Sequence, residues 1–283
     1  MENMDTENTD TGNTKRPHKN FKTIRIMKPL TKYLVPALLG LFALNAPDCG
    51  IAAPLYRANS HAKSLTTPVG GGAANNIVFM GVGGTLPAPY ADDSDGAAVV
   101  GFGIGDPKEN LGLQLCLVSL DLSEWDRYSM ALHLHRDLGN ANSFGVGVEN
   151  IMLSEGSDSG KSYYAVYSQS IQSEPFVNKA TGVSKLHFSV GAGNGRFADK
   201  SGDDILSGKG EHGTYVFGNV AYEVADEFNV IADWNGTNLN AGLSKTFWID
   251  NLPIVTAVGA GDLTDNSGDG TRFLFIVGTG FKL

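Results

Sequence analysis

Three histidines raise the first chemical question in this sequence. His133 and His135 stand two places apart in "RYSMALHLHR", and His187 stands in "SKLHFSVGAG". Imidazoles on one face can hold a metal ion through the lone pairs of neutral ring nitrogens. Such a site needs three or four convergent ligands, and no Cys or carboxylate accompanies these histidines at ligand spacing. An i, i+2 pair is also what a strand gives when polar residues line one face. His133, His135 and His187 are therefore read as weak candidates for an interior lining, with no metal and no cofactor assigned. Nucleophilic chemistry has less support. There is no G-x-S-x-G segment, and no catalytic residue is assigned. Asp203, Asp204, Glu211 and His212 are acid–base residue types in the longest polar break, where solvated carboxylates are the simpler reading.

Oxygen-rich segments raise a second possibility. "SGDDILSGKG", Ser201 to Gly210, resembles one copy of the Gly- and Asp-rich repeat of calcium-binding β-rolls, but one copy has no stacked neighbours to share ligands with. "DNSGDG" (265–270) and "DDSDG" (92–96) look like calcium loops. Counted from Asp265, the twelfth place of an EF-hand holds Ile276 rather than the bidentate Glu. Turn formation explains these residues better, leaving weak attraction of divalent cations at acidic loops as an expectation. The whole chain carries a net charge of −9. No basic patch interleaved with aromatics lies beyond its first residues, so no nucleic-acid partner is expected.

The first fifty residues read as a separate unit. Seven basic residues between Lys15 and Lys32 precede an apolar run, Tyr33 to Ala46, and then "CGIAAP" with small residues at Gly50 and Ala52. A basic flank, a short apolar core and a small-x-small site make a secretory signal peptide. Met27 starts a signal of ordinary length, so residues 1–26 read as an extension before the true start. Cleavage near Ala52 removes seven of 21 basic and five of 30 acidic residues, leaving a net charge of −11. It also leaves Cys116 without a disulfide partner, as a small hydrophobe. Residues 53–75 show no period and read as a flexible lead-in. No stretch of about 20 apolar residues is present, so no membrane helix is expected.

Residues 76–283 form the third unit. Runs rich in Val, Ile, Leu, Phe, Tyr and Gly recur about twelve times, each ended by a polar break. Several alternate strictly. Tyr128, Met130, Leu132 and Leu134 oppose Ser129, Ala131, His133 and His135; Leu239, Ala241 and Leu243 oppose Asn240, Gly242, Ser244 and Thr246. One face suits an apolar medium, and the other is small and polar. The breaks alternate too, generally long and acidic, then short. That rhythm fits an up-and-down meander with loops at one end and turns at the other. A propeller would show a repeat of about 40–50 residues, and none is found. A soluble sandwich would carry charges on its outward strand positions, whereas here charges gather in the breaks.

These features point to an all-β, antiparallel, up-and-down transmembrane barrel of about twelve strands. The last strand, "RFLFIVGTGFKL", resembles the closing strand of Gram-negative outer-membrane barrels. In that family a glycine is followed three places on by an aromatic or apolar residue, and two places later by another at the C-terminus. Gly278, Phe281 and Leu283 occupy those positions, with Leu where Phe is commoner, and Ile276 where a polar residue is usual. The resemblance implies an assembly signal read by the barrel assembly machinery, outer-membrane lipid as surroundings, and an outer-membrane location. Period 2 then turns Phe273, Phe275, Val277 and Phe281 outward, and Leu274, Ile276, Gly278 and Gly280 inward. Two inward aliphatics are unexpected for a wide aqueous pore. Tyr128, Tyr222, Phe247, Trp248, Phe273 and Phe281 are placed for aromatic girdles. The expected function is a small porin-like channel or a structural surface protein. The alternatives are a secreted or surface-attached β-sandwich binding module and, third, a barrel-embedded hydrolase.

Overall fold

The structure, a computed structural model, describes residues 63–91, 94–120, 122, 125, 127–154, 160–179 and 181–283. The chain separates into Met1–Ala53 and Pro54–Leu283, and every described residue belongs to the second unit. The signal peptide and the start at Met27 lie outside the described residues.

Twelve strands follow one another: β1 (Ile77–Leu86), β2 (Asp95–Gly105), β3 (Gly112–Ser119), β4 (Tyr128–Gly139), β5 (Asn142–Met152), β6 (Ser162–Ser170), β7 (Leu186–Gly193), β8 (Val216–Ala225), β9 (Phe228–Trp234), β10 (Leu239–Ile249), β11 (Leu252–Gly261) and β12 (Arg272–Lys282). Each pairs antiparallel with its sequence neighbours, and β1 also pairs with β12, so the sheet closes. At the seam Ile77 faces Lys282, Val78 faces Phe281 and Gly81 faces Gly278. Closure leaves no row of unpaired backbone groups along a sheet edge. A sandwich has open edges, so the closed seam overturns the β-sandwich alternative.

Alternation fixes the two faces as the sequence indicated. In β6, Ser162, Tyr164, Val166, Ser168 and Ser170 are buried inward, while Tyr163 is exposed outward. Large apolar residues exposed on the outer wall include Val100, Leu117, Val146, Val220, Val230, Leu243, Val258 and Val277. A continuous band of this kind costs free energy in water and none in hydrocarbon. Phe247, Trp248 and Tyr222 are exposed toward one end of the wall, and Tyr163, Tyr215 and Phe273 toward the other.

The turn end is made mostly by short connections, the exception being residues 171–185 between β6 and β7. Residues 140–141, 226–227 and 250–251 are two-residue hairpin loops. Asn140 and Ala141 both have positive φ, 51° and 58°, the pattern of a turn whose twist matches the flanking strands. The opposite end carries the longer connections, of which residues 194–215 are the longest. That loop holds a 3-10 turn, Gly195–Phe197, and a short helix, α1 (Gly202–Leu206). α1 starts with a capping box: the Ser201 side chain accepts from Asp204 N–H, and the Asp204 side chain accepts from Ser201 N–H.

Candidate functional site

The interior of the barrel is filled in large part by other segments of the same chain. Residues 63–75 do not trail away as a free lead-in. They run inside the barrel as a strap bonded to one inward residue after another. Asp233 on β9 organises its start. Asp233 Oδ2 accepts from Ser64 Oγ (3.0 Å), Leu65 N–H (2.9 Å) and Thr66 N–H (2.7 Å), and Oδ1 accepts from Thr66 Oγ (3.1 Å) and Asn240 Nδ2 (2.8 Å). With Asp233 only 2% exposed, each of these donors is bonded to a charge in a water-poor setting, the strong class of hydrogen bond. Farther along, Asn219 Nδ2 donates to Thr67 Oγ (3.0 Å), Gly70 N–H donates to Ser168 Oγ (2.7 Å) and Ala73 N–H donates to Gln114 Oε1 (2.8 Å). The strap thus passes from β8–β10, past β6, to β3.

Small wall residues make room for it. A Cβ at Gly103 would run into the backbone of Ala73 and Ala74, and one at Gly242 would press on Leu65. Leu65 itself is buried with Ala221, Ile231 and Ala257, and Ile276 packs against this cluster. The inward Ile276, out of place in a water-filled pore, is therefore a contact for the strap.

The longest loop fills a second part of the interior. Phe197 and Ala198 are fully buried. Phe197 stacks on Phe217 with centroids 4.4 Å apart and meets Tyr164 edge-on at 5.8 Å. Arg196 Nε donates to Glu149 Oε2 (2.5 Å), and its Nη1 donates to Thr66 O (3.1 Å), so the loop also holds the strap. Tyr164 passes the contact to the histidines: its hydroxyl lies 2.9 Å from His133 Nδ1.

All three sequence-derived histidines face inward, but they do not converge. His133 and His135 stack with centroids 5.3 Å apart and planes 14° from parallel, which sets their nitrogens side by side rather than toward one point. Gly112 and Gly145 leave the space their rings occupy. His187, fully buried, is held elsewhere. Its Nε2 lies 2.9 Å from Ser184 O, a group that only accepts, so Nε2 carries the proton. In neutral His187, Nδ1 then accepts from Ser170 Oγ at 2.7 Å. A hydroxyl bonded to an imidazole is the start of a nucleophile–base pair, but both residues are buried and neither lines the cavity described below. Among the described residues no three His, Cys, Asp or Glu are arranged around a metal position. Cys116 is half-buried and accepts from Gln114 Nε2 at 3.4 Å.

The long-loop mouth is tied together by Asp204, which is 1% exposed. Tyr90 (2.6 Å) and Gly268 N–H (2.6 Å) donate to Oδ1, and Ser267 (2.7 Å) and Ser201 N–H (3.1 Å) donate to Oδ2. Burial alone would raise this carboxyl. The bonds from Ser267, Tyr90, Gly268 and Ser201 outweigh it and hold the pKa at about 2. Burial and the Asp204 bond push the Tyr90 hydroxyl up to about 12. Of the calcium-like loops, Asp265 pairs with Lys209 (2.5 Å); just before that segment, Asp262 pairs with Arg272. Asp92 and Asp93 lie outside the described residues. His212 sits 3.5 Å from Asp199, away from Asp204's partners.

One cavity of about 450 Å³ lies beside the strap. Strap residues Leu65 and Thr66 form one side of it; β1, β2 and β12 supply Gly83, Thr85, Asp95, Leu274 and Ile276 on the other. Leu274, the second unexpected inward aliphatic, lines this space.

Asp233, Asn219 and the strap carry this interior, and the sequence reading missed them. Two signals existed: residues 64–76 contain no charge, and inward places on β8–β10 hold Asn and Asp where a wide lining would vary.

No family model and no curated protein matches the chain. Among solved structures it is similar to the KdgM porin in complex with disordered oligogalacturonate, at 9% identity and a TM-score of 0.44, covering 73% of this chain and 99% of that one. It is also similar to outer membrane phospholipase A from Escherichia coli, at 12% identity and a TM-score of 0.40, covering 73% of this chain and 96% of that one. The Salmonella typhi outer membrane phospholipase dimer with bound calcium gives 11% identity, a TM-score of 0.40, and coverage of 73% and 91%. No residue role is carried over from any of them.

Proposed function

We propose that this chain is an outer-membrane β-barrel acting as a small porin-like channel, exported by the signal in residues 1–52 and assembled through its last strand. The observation that carries the reading is the wall itself: an edge-free sheet with an apolar outer face and an inner face of Ser, Asn, Gly and His. Only such a sheet satisfies its backbone in hydrocarbon while keeping a polar interior. The lining is mostly neutral, so it selects among small solutes weakly, while acidic long loops favour cations slightly. In this reading Gly278, Phe281 and Leu283 are the assembly signal: Phe281 pairs with Val78 across the seam, and Leu283 N–H reaches Asn76 O at 3.0 Å.

The filled interior favours a second reading, a structural surface protein that does not conduct. Fractionation followed by liposome swelling separates the two. A channel is recovered with outer membranes after carbonate washing and admits small sugars to vesicles. Recovery with outer membranes but no swelling, both with the strap of residues 63–74 present and with it deleted, supports the structural role. Release by carbonate contradicts both.

A further inference from the structure

We propose that residues 63–74 are a displaceable plug, and that Asp233 is the latch that holds it. The proposal rests on the channel reading above and adds how that channel is closed. A segment that merely tethers the chain to its barrel needs one attachment. This one is bonded at Ser64, Leu65, Thr66, Thr67, Gly70 and Ala73, to walls on β3, β6, β8 and β9.

Two features mark the plug as separable from the wall. Its bonds go to inward side chains: Asp233, Asn219, Ser168 and Gln114. The strands meanwhile pair with one another all the way round, so withdrawing the segment breaks no ladder hydrogen bond. The segment also forms the boundary of the open space. Leu65 and Thr66 line the 450 Å³ cavity whose other side is β1, β2 and β12. Moving them joins that cavity to the volume the strap now occupies.

The bonding is concentrated at one residue. Asp233 takes three bonds from Ser64, Leu65 and Thr66 on Oδ2 and one from Thr66 Oγ on Oδ1, all within three residues of strap. The Asn240 amide, bonded to both Asp233 (2.8 Å) and Thr66 Oγ (3.1 Å), braces it. Arg196 holds the same turn from the loop side through Thr66 O. Loss of the Asp233 charge weakens every bond in this turn at once while leaving the wall's size unchanged.

The test compares the full-length protein, Asp233→Asn and a deletion of residues 63–74 in planar bilayers with potassium chloride. Unboiled mobility on SDS gels verifies that each forms a barrel. Amide exchange at Leu65, Thr66 and Gly70 is followed in the first two. The expected result is a mostly closed full-length protein, an Asp233→Asn open fraction raised about tenfold or more, as for loss of one charge-assisted hydrogen bond, and the highest current from the deletion. Strap amides in Asp233→Asn should exchange faster while those of β9 and β10 do not. Equal currents and unchanged strap exchange would overturn the plug and leave the channel standing. Faster strap exchange without current in any folded variant would keep the displaceable strap and overturn the channel. If the deletion does not fold, Asp233→Asn decides alone.

Discussion

On the β8–β10 side of the barrel the inward residues include the buried Asn219, Glu223, Asn229, Asp233 and Asn240; on the β1, β2 and β12 side they include Phe79, Gly81, Gly101, Leu274, Ile276 and Gly278, most of them only half-buried. The first set is polar and bonded to other parts of the chain. Asn178 in the 171–185 loop donates to Glu223 (2.8 Å), and the strap covers Asp233 and Asn219. The second set is small or apolar, and two of its members, Leu274 and Ile276, line the cavity together with Thr85 and Asp95. The contrast shows what an inward polar residue means in this barrel. At Asp233, Asn219 and Glu223 it marks a place where another segment is held, whereas Asn229 bonds to Ser244 on the neighbouring strand; a buried polar group without a partner is costly. Small inward residues mark where backbone or open space must fit.

The largest effect is expected where both regions depend on the same closure. Deleting Phe281 to Leu283 removes the last seam pairs, Ile77 with Lys282 and Val78 with Phe281, and the bond to Asn76. Backbone groups opened to hydrocarbon cost several kcal/mol each, so the truncated chain should be degraded rather than recovered as a barrel. A truncated protein that still migrates as a folded barrel from outer membranes would refute this role for the seam.

The next prediction compares the two interiors directly. Phe197→Ala should cost about 3–5 kcal/mol, the range for a buried aromatic, read as a lowered urea midpoint in detergent. Leu274→Ala, at the cavity wall, should cost on the order of 1–2 kcal/mol, because its side chain already faces space. Equal losses would mean that the two regions are packed alike.

Turning outward, Val220→Arg on the exposed face of β8 should destabilise the barrel in bilayers by about 2–4 kcal/mol if it sits near the midplane. In water-exposed surroundings the same change should be nearly neutral. The mouth adds a pH-dependent effect of modest size. The Asp204 carboxyl is held at about 2 against an ordinary 3.8. Its folded pKa is depressed, so its contribution is full above about pH 4 and is lost as pH falls through about 2. That contribution is about 2 kcal/mol. Thermal unfolding followed between pH 5 and 2 should show the loss, and Asp204→Asn should remove this part of the slope.

Much of the wall was legible because alternation is a local signal. His133 and His135 could be turned inward from their neighbours alone, and Asn240 to Thr246 likewise. Phe273 and Val277 were placed outward by the same count. The strap was not legible, because its order comes from partners far away in the chain: Ser64 and Asp233 are 169 positions apart. Residues 64–76 carry no apolar period, since they bury backbone and hydroxyl groups rather than a hydrophobic face. Leu274 and Ile276 looked misplaced for the same reason, because the groups that explain them, Leu65 and the cavity, belong to that segment. Asp204 read as one more solvated carboxylate until Tyr90, Ser267 and Gly268 were brought to it by loops from two other parts of the chain.

The central claim is a closed barrel that lives in a membrane, and mobility on SDS gels tests it most directly. Full-length protein extracted from outer membranes in mild detergent should run faster unboiled than boiled, because a sheet with no edge resists SDS until heated. Identical mobility before and after boiling, with the protein recovered in the soluble fraction, would contradict it.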